Sequence, residues 1–446
     1  MPQQTSEKEG CVIRTLFSIK TAFFIFLLSC ILLGSSPSLV FPIDIPVKPH
    51  GFVEVAAGPR LGDDRPEKEG YNLLEGRFQL KFTAYPSQPH FFTDWNAVFF
   101  FKGELLLDGH EEEPDGSIRE CYLNISPLSF LDIKAGRQIL TWGTGDLIFI
   151  NDLFPKDFVS FFIGREDQYL KVPSDAIKLS FFSKLVNLDL VFIPFFQPDT
   201  PIRGRRLSFY NPFSLSRDGV DSGLYFNKPG HSLDNTEIAV RLNRFIKSYE
   251  LSVYGFRGYY KQAAGVGNVF KRELFYPELS VFGGSIRGQA LGGIGSFEFG
   301  YYRSREDTSG HDPFIENSSV RYLFGYERQF KNDLFLSFQY YLNQLLDYHD
   351  YRIAQPGKVP KRDEFYQLLT MRVTKLLYHQ DVELSLFVFY SPSDSDFHIR
   401  PRITYDMTDS WKVTCGGSIF GGEDDYTVFG QLKRNDTIYF RIRYSF

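Results

Sequence analysis

Apolar and polar residues alternate along the last ten residues of the chain. Every second position is apolar: Ile438, Phe440, Ile442, Tyr444 and Phe446. The positions between them are mostly polar or charged and include Arg441 and Arg443. Because successive side chains of a β-strand point to opposite faces, this segment predicts a strand with one apolar and one polar face. The strand ends on the C-terminal phenylalanine, whereas most soluble chains end in a frayed polar tail.

The same alternation recurs upstream, for example in segments 74–82, 95–101, 238–242 and 397–405. A soluble β-sandwich also alternates, but here the positions opposite the large apolar residues are too charged to form a buried core. An apolar outer face and a polar inner face are typical of a transmembrane barrel. The pattern therefore predicts an all-β protein, a single transmembrane antiparallel β-barrel of about 18 strands, with 16 strands as the alternative.

The lengths of the connections give an independent test of this prediction. The predicted strands begin near residues 52, 74, 95, 117, 130, 174, 186, 233, 248, 274, 291, 317, 333, 364, 381, 396, 411 and 436. Short and long connections then alternate, and segment 85–94 is the one longish connection on the short side. Outer-membrane barrels have short periplasmic turns and longer outer loops. With an even number of strands and short connections on the periplasmic side, both termini are predicted to be periplasmic. Pairing of the last strand with the first closes the barrel and explains why the chain ends on a strand.

The N-terminus has the order of a secretory signal peptide. Arg14 and Lys20 precede an apolar run at 21–33, and small residues follow it. We expect residues 1–38 to be a signal peptide and residues 39–446 to form the barrel, located in the outer membrane of a Gram-negative-type bacterium. An uncleaved anchor helix is the alternative, although the run is short for a membrane span.

Composition excludes several other classes of protein. The 446 residues contain only this one long apolar run, which excludes a polytopic helical membrane protein. The net charge is −5 and no basic block is present, so no nucleic-acid partner is expected. Outside the N-terminal segment only Cys121 and Cys415 remain, too few for a disulfide framework.

Two features of the sequence resemble known families. The terminal strand resembles the C-terminal signal of bacterial outer-membrane proteins, which implies that Tyr444 and Phe446 are read by the barrel-assembly machinery. The tripeptide Gly136-Arg137-Gln138, followed by Trp142-Gly143, resembles alginate-export-type and related uncharacterised porin-like families. The resemblance implies a porin-like barrel surrounded by outer-membrane lipid and lipopolysaccharide.

Two loops, 141–173 and 195–232, are too long to be simple connections. We predict that both fold toward the lumen, because many aromatic residues on an outer loop would expose a large apolar surface to water. A packed surface loop is the alternative. The candidate constriction residues of the first loop are Trp142, Asp146, Asp152, Asp157 and Arg165. In the second loop, Arg203, Arg205 and Arg206 fit either phosphates of lipopolysaccharide or pairing with nearby acids.

The inward positions of the last and first strands form a predicted basic arc. Its members are Arg77, Lys81, Lys102, Arg372, Arg400, Arg402, Lys412, Arg441 and Arg443. The inward acids Glu75 and Glu104 dilute this arc, and Glu298 and Glu383 lie on other strands. A positive wall facing an acidic loop across the pore predicts a transverse field and a narrow, weakly anion-preferring channel.

The sequence thus predicts a porin-like channel for passive diffusion of small polar or anionic solutes. A scaffold or export barrel that houses a partner protein or polymer is the alternative, and an outer-membrane hydrolase is less favoured. Neither Gly-x-Ser-x-Gly nor His-Glu-x-x-His is present, and the best local constellation is His349 beside Asp347 and Asp350. We predict no catalytic residue, cofactor or metal site; a homo-oligomer or a plug partner stays open.

Overall fold

The computed structural model describes residues 48–61, 70–86, 90–111, 113–219 and 222–446. The predicted signal peptide, residues 1–38, lies outside these ranges. Among the described residues, no helix is both long and apolar enough to cross a bilayer.

Within the described ranges, eighteen strands form one antiparallel sheet and five short strands lie in its connections. The strands are β1 (His50–Pro59), β2 (Tyr71–Ala84), β3 (Val98–Asp108), β4 (Asp115–Leu128), β5 (Leu131–Gln138), β6 (Ser174–Phe181), β7 (Asn187–Ile193), β8 (Phe209–Asn211), β9 (Ser216–Asp218), β10 (Tyr225–Asn227), β11 (Glu237–Ile246), β12 (Tyr249–Tyr259), β13 (Gly265–Asn268), β14 (Glu273–Phe275), β15 (Glu278–Ala290), β16 (Gly293–Ser304), β17 (Ser319–Phe330), β18 (Leu334–Leu345), β19 (Phe365–Leu377), β20 (Val382–Ser391), β21 (Asp396–Asp406), β22 (Trp411–Gly422) and β23 (Thr437–Ser445). The short strands β8, β9, β10, β13 and β14 lie outside the wall.

Short helices accompany these strands in the described ranges. The α-helices are α1 (Phe91–Asp94), α2 (Phe158–Phe162) and α3 (Tyr348–Ala354), and the 3₁₀ helices are Asp167–Leu170, Leu233–Asn235, Tyr378–Gln380 and Gly430–Leu432.

The sheet closes into a barrel because β23 pairs with β1. Their register runs from Phe52 opposite Ser445 to Ala57 opposite Phe440. At the very end, the amide of Phe446 donates to the carbonyl of Gly51 at 3.0 Å, and the amide of Gly51 donates back at 3.0 Å. Every wall strand therefore has two partners, and no open sheet edge remains in the wall. The predicted 18-strand barrel is confirmed.

The predicted strand starts lie within four residues of the observed ones. The largest differences are at β11, which begins at Glu237, and at β15, which begins at Glu278. The prediction for β3 began at residue 95, but residues 91–94 form α1, and Trp95 donates its amide to the carbonyl of Phe91 at 2.9 Å. The wall strand starts only at Val98 because a helical turn occupies the segment before it.

Short and long connections lie at opposite ends of the barrel, which we call the turn end and the loop end. The turn end holds connections such as 247–248 and 291–292, and the loop end holds 139–173 and 194–236. Connection 392–395 is the short exception at the loop end. Both ends of the described barrel, at β1 and after β23, lie at the turn end.

The two wall cysteines occupy distant strands. Cys121 lies on β4 and Cys415 on β22, and both are free thiols. They are five strands apart across the closure of the barrel, which corresponds to roughly 20 Å at the usual spacing between strands and exceeds the reach of a disulfide. We expect identical electrophoretic migration with and without reductant. A reductant-dependent intramolecular shift would contradict the strand order.

Candidate functional site

The connection between β5 and β6, residues 139–173, is the lumen loop. It contacts inward side chains on widely separated strands. Arg165 donates through Nε to Glu75 of β2 at 3.0 Å, and Arg400 of β21 donates to Asp167 at 3.1 Å. The backbone of Asn151 donates to Glu298 of β16 at 2.8 Å. Since β2, β16 and β21 lie at separate positions around the barrel wall, a loop that contacts the inner faces of all three must pass through the barrel interior.

Glu298 is the anchor of the first half of the lumen loop. One oxygen accepts from the amide and hydroxyl of Thr144, at 2.6 and 2.9 Å. The other accepts from the amide and side chain of Asn151, at 2.8 and 2.9 Å. Glu298 is 1% exposed and, within the described chain, has no ion-pair partner. Four hydrogen bonds from one loop segment therefore take the place of a counter-ion.

Glycines allow the loop to wrap this closely around the carboxylate. Gly143 has φ +83°, and a Cβ there would lie 2.9 Å from Oε1 of Glu298. A Cβ at Gly145 would lie 2.1 Å from the carbonyl oxygen of Ile148. Leu147 follows with φ 62°, a left-handed conformation that costs energy for a residue with a side chain. The surrounding contacts hold this tight tip in place.

The tip of the lumen loop is fastened to β18 and β19. The amide of Asp146 donates to Oε1 of Gln339 at 3.0 Å, and Nη2 of Arg372 donates to the Asp146 carboxylate at 2.8 Å. A cavity of about 810 Å³ at the turn end is lined by Asp146 and Arg372. A cavity of about 770 Å³ at the loop end is lined by Leu147. The Asp146–Leu147 tip thus separates the two cavities.

The second half of the lumen loop carries charges that meet the predicted basic arc. Glu166 lies 2.9 Å from Arg443, and Asp167 lies 3.1 Å from Arg400. Nη2 of Arg441 donates to the carbonyl of Gly164 at 2.7 Å. The expectation that loop acids face the arc across an open pore is wrong for these groups. They touch the arc directly, because the loop crosses the lumen and lies on the wall.

Three of the other arc cations pair with acids on the wall. Arg77 lies 2.7 Å from Glu104, Arg402 lies 2.8 Å from Glu383, and Lys412 lies 3.1 Å from Asp406. Lys102 instead donates to Oε1 of Gln168 at 3.2 Å, and Lys81 is an exposed side chain. The arc is therefore largely compensated, and its remaining positive excess lies on β2 and β3.

The four other candidate constriction residues hold the loop together and do not lie at its tip. The Trp142 ring packs 5.1 Å from Phe154, and Asp157 caps α2 by accepting from the amide of Ser160 at 2.9 Å. Asp152 accepts from Lys156 at 2.9 Å. Arg165, the fourth, pairs with Glu75 as described above. Of the five candidates, Asp146 is the one between the cavities.

The loop-end half of the lumen contains an apolar cluster. Phe161 and Phe162 of α2 pack against His398, at ring distances of 5.6 and 5.7 Å, with Phe389 and Phe420 around them. Nε2 of His398 lies 2.8 Å from the hydroxyl of Ser418, a second polar group within this apolar surrounding. The interpretation that the inner face is too charged for a core is thus wrong at this level, because the loop brings its own aromatic residues.

The second long loop, 195–232, contacts the first. The backbone of Lys156 donates to Asp199 at 2.7 Å, and burial raises the pKa of Asp199 to about 6. Arg206 lies 3.0 Å from Glu75, and Arg205 lies 3.1 Å from Glu111. For these two arginines, the structure favours pairing with acids over binding of lipopolysaccharide.

One part of the lining of the loop-end cavity is acidic, and Lys361 and Arg362 line it as well. Asp394 lines it, and burial together with Asp396, Asp363 and Asp424 raises the pKa of Asp394 to about 6. His349, the best local candidate for catalysis, is exposed on α3. The histidine near Asp350 is His311, whose Nε2 lies 3.9 Å from the carboxylate.

No family model matches this chain, and no characterised sequence matches it either. Among the solved structures that are similar to it are two outer-membrane barrels. Acinetobacter baumannii OccAB4 has a TM-score of 0.55 and 8% identity, over 90% of this chain and 98% of that chain. Pseudomonas aeruginosa OccK11 (OpdR) has a TM-score of 0.51 and 9% identity, over 90% of this chain and 95% of that chain. The likeness establishes the fold. The porin-like barrel predicted from the strand pattern is thereby confirmed as an architecture.

Sequence reasoning missed the residues that seat the lumen loop. Glu298 was recognised only as an inward acid, and Gln339, Glu166 and His398 were not singled out. The close glycines of the 143–145 segment were the available signal, since a tight turn next to a strand residue calls for glycine. Which wall residue they approach depends on the path of the loop.

Proposed function

We propose that the protein is a porin-like channel for passive diffusion of small polar or anionic solutes across the outer membrane of a Gram-negative-type bacterium. The turn end and both termini face the periplasm, as the short connections suggest. The observation that carries the proposal is the lumen loop, which crosses a closed barrel and leaves a cavity at each end. Such a barrel has an entrance, an exit and a constriction between them.

The constriction lies at the Asp146–Leu147 tip against β18 and β19. A solute that moves between the cavities passes the Asp146–Arg372 ion pair and the amide of Gln339. This passage offers one positive, one negative and one neutral polar group. It favours hydrated, polar solutes over apolar ones, which cannot replace the lost hydration.

The anion preference is weak because the arc is mostly compensated. Its least compensated part lies at Lys81 and Lys102, which face each other across β2 and β3, and the acid opposite Lys102 on β4 is Glu120. Nearby Arg119 donates to the carbonyls of Gln168 and Lys171, at 3.1 and 2.9 Å, rather than to an acid. This excess attracts anions into the lumen.

The alternative of a barrel that houses a partner has less support. The chain's own loop occupies the middle of the lumen, where a partner protein or polymer would have to pass. The exposed position of His349 gives no support to a hydrolase.

Reconstitution in a planar bilayer tests the channel. We expect small, uniform single-channel steps in symmetric salt and a reversal potential of weak anion selectivity in a salt gradient. A purified, folded barrel that gives no steps would contradict the proposal, and erratic leakage alone would favour the partner-housing alternative.

Selectivity should respond to the charge at the tip. Asp146→Asn removes the carboxylate at the tip and leaves Arg372 with only the more distant Asp167, at 4.0 Å. The ratio of anion to cation permeability should therefore rise by about twofold or more. Asp175→Asn is the matched control, because Asp175 lies on the outer wall beside Arg137, at 3.1 Å. Unchanged reversal potentials for Asp146→Asn would place the constriction elsewhere.

A further inference from the structure

Two exposed arginines stand in one register row on the outer wall near the loop end. Arg257 of β12 pairs with Ser280 of β15, and Ser280 pairs with Arg303 of β16. Both arginines face outward, because Phe256 and Tyr302 beside them are buried toward the lumen. The row therefore points at the surroundings of the barrel and not at the solute path.

Neither arginine of this row has an ion-pair partner within the described chain. Other arginines at the same rim do: Arg305 lies 2.8 Å from Glu278, and Arg137 lies 3.1 Å from Asp175. The acid closest to the row along β15, Glu278, is thus already neutralised. A guanidinium without a counter-ion offers its forked donors to an external oxyanion.

The row stands at the edge of the lipid-facing apolar belt. Directly beneath it, Gly255, Phe282 and Tyr301 form the next outward row, with Val253 farther down β12. Val253 is 60% exposed and Phe282 is 58% exposed, as expected for side chains that face acyl chains. A Cβ at Gly255 would meet no heavy atom within 4 Å, so the wall is recessed beneath Arg257. The two arginines above match a charged lipid headgroup, and the recessed apolar surface below matches an acyl chain.

We propose that the Arg257–Ser280–Arg303 row binds the phosphate of a lipid headgroup, with an acyl chain in the recess at Gly255. The two arginines are two strands apart, roughly 10 Å, so both side chains reach a phosphate held over Ser280. The apolar recess selects a lipid over free phosphate. Assignment to the phosphorylated glycolipid of the outer leaflet rests on the proposed orientation of the channel, with the loop end outward.

Native mass spectrometry of the full barrel in detergent tests the site. The probes are diphosphoryl lipid A, its dephosphorylated form and inorganic phosphate. We expect Arg257→Gln with Arg303→Gln to weaken binding of diphosphoryl lipid A by roughly tenfold or more. Binding of the dephosphorylated form should be weaker and insensitive to both changes. The control is Arg244→Gln, since Arg244 is an exposed outward arginine of β11 at the turn end, and it should stay within about twofold.

A second variant keeps the test informative if the double variant fails to assemble. Gly255→Leu fills the recess and leaves both arginines in place, and it should also weaken lipid binding. Equal affinity of the wild type and the variants would overturn the proposal, and so would displacement of the lipid by millimolar inorganic phosphate. Because this assay does not use conduction, a barrel that binds lipid but gives no current would count against the channel alone.

Discussion

Glu298→Gln should raise the mean single-channel conductance several-fold and make the open current noisier. The carboxylate accepts four hydrogen bonds, two from Thr144 and two from Asn151. Glutamine has one acceptor oxygen, and its NH₂ group would face donors where the second oxygen now accepts. Each orphaned buried donor costs about 1–3 kcal/mol, so the 141–151 segment should leave its seat part of the time. The two cavities would then join.

Glu383→Gln is the matched control for this change. Glu383 is also an inward glutamate, and it pairs with Arg402 of the neighbouring strand at 2.8 Å, not with the lumen loop. We expect its conductance to resemble that of the wild type, with at most a small change in selectivity. If both variants showed the same increase, the effect would come from lumen charge and not from the seating of the loop. An unchanged Glu298→Gln channel would show that other contacts hold the tip.

Deletion of Phe446 should lower the yield of assembled barrel several-fold and cause degradation of the unassembled chain. The residue closes the barrel through its paired hydrogen bonds with Gly51, each 3.0 Å. Its ring stacks on Phe78 of β2 at 6.2 Å and lies 6.5 Å from Tyr444. The deletion removes these contacts at the closing seam and, by family resemblance, part of the signal for the assembly machinery. Heat-modifiable mobility at limiting expression measures the folded fraction.

Phe440→Ala separates the two explanations for this effect. Phe440 lies on the same outward face of β23 and is 50% exposed, compared with 46% for Phe446. The Phe440→Ala variant loses a similar amount of lipid-facing surface but keeps the terminal residue and its contacts at the β23–β1 seam. We therefore expect near-normal assembly. Equal losses for both variants would reduce the role of Phe446 to ordinary apolar contact. Normal yield after the deletion would contradict its role in closure.

The wall of the barrel could be read from the sequence because each strand carries its own signal. In β23 the outward residues Ile438, Phe440 and Tyr444 are apolar, while Thr437 and Arg441, at alternate positions, face inward. This alternation is set by the geometry of a single strand and needs no knowledge of its partners. Connection lengths then fixed the strand count, because antiparallel neighbours alternate between the two ends.

The local pattern failed where a segment's environment came from elsewhere in the chain. The alternation at 95–97 suggested a strand, but the preceding helix α1 holds Trp95 in a turn. The inner face of β21 looked uniformly polar, with His398 and Arg400 in succession. In the fold His398 sits among phenylalanines supplied by α2, while Arg400 meets Asp167 of the same loop.

The sequence by itself thus determined the strands, their faces, the closed barrel and the presence of a loop too long to be a connection. Tertiary structure alone decided what that loop does. The contacts that define this role join residues far apart in the chain. The loop is seated on Glu298, its tip pairs with Arg372, and its acids Glu166 and Asp167 compensate the basic arc. Alternation reports which face a side chain takes, but it carries no information about which distant segment will lie against that face.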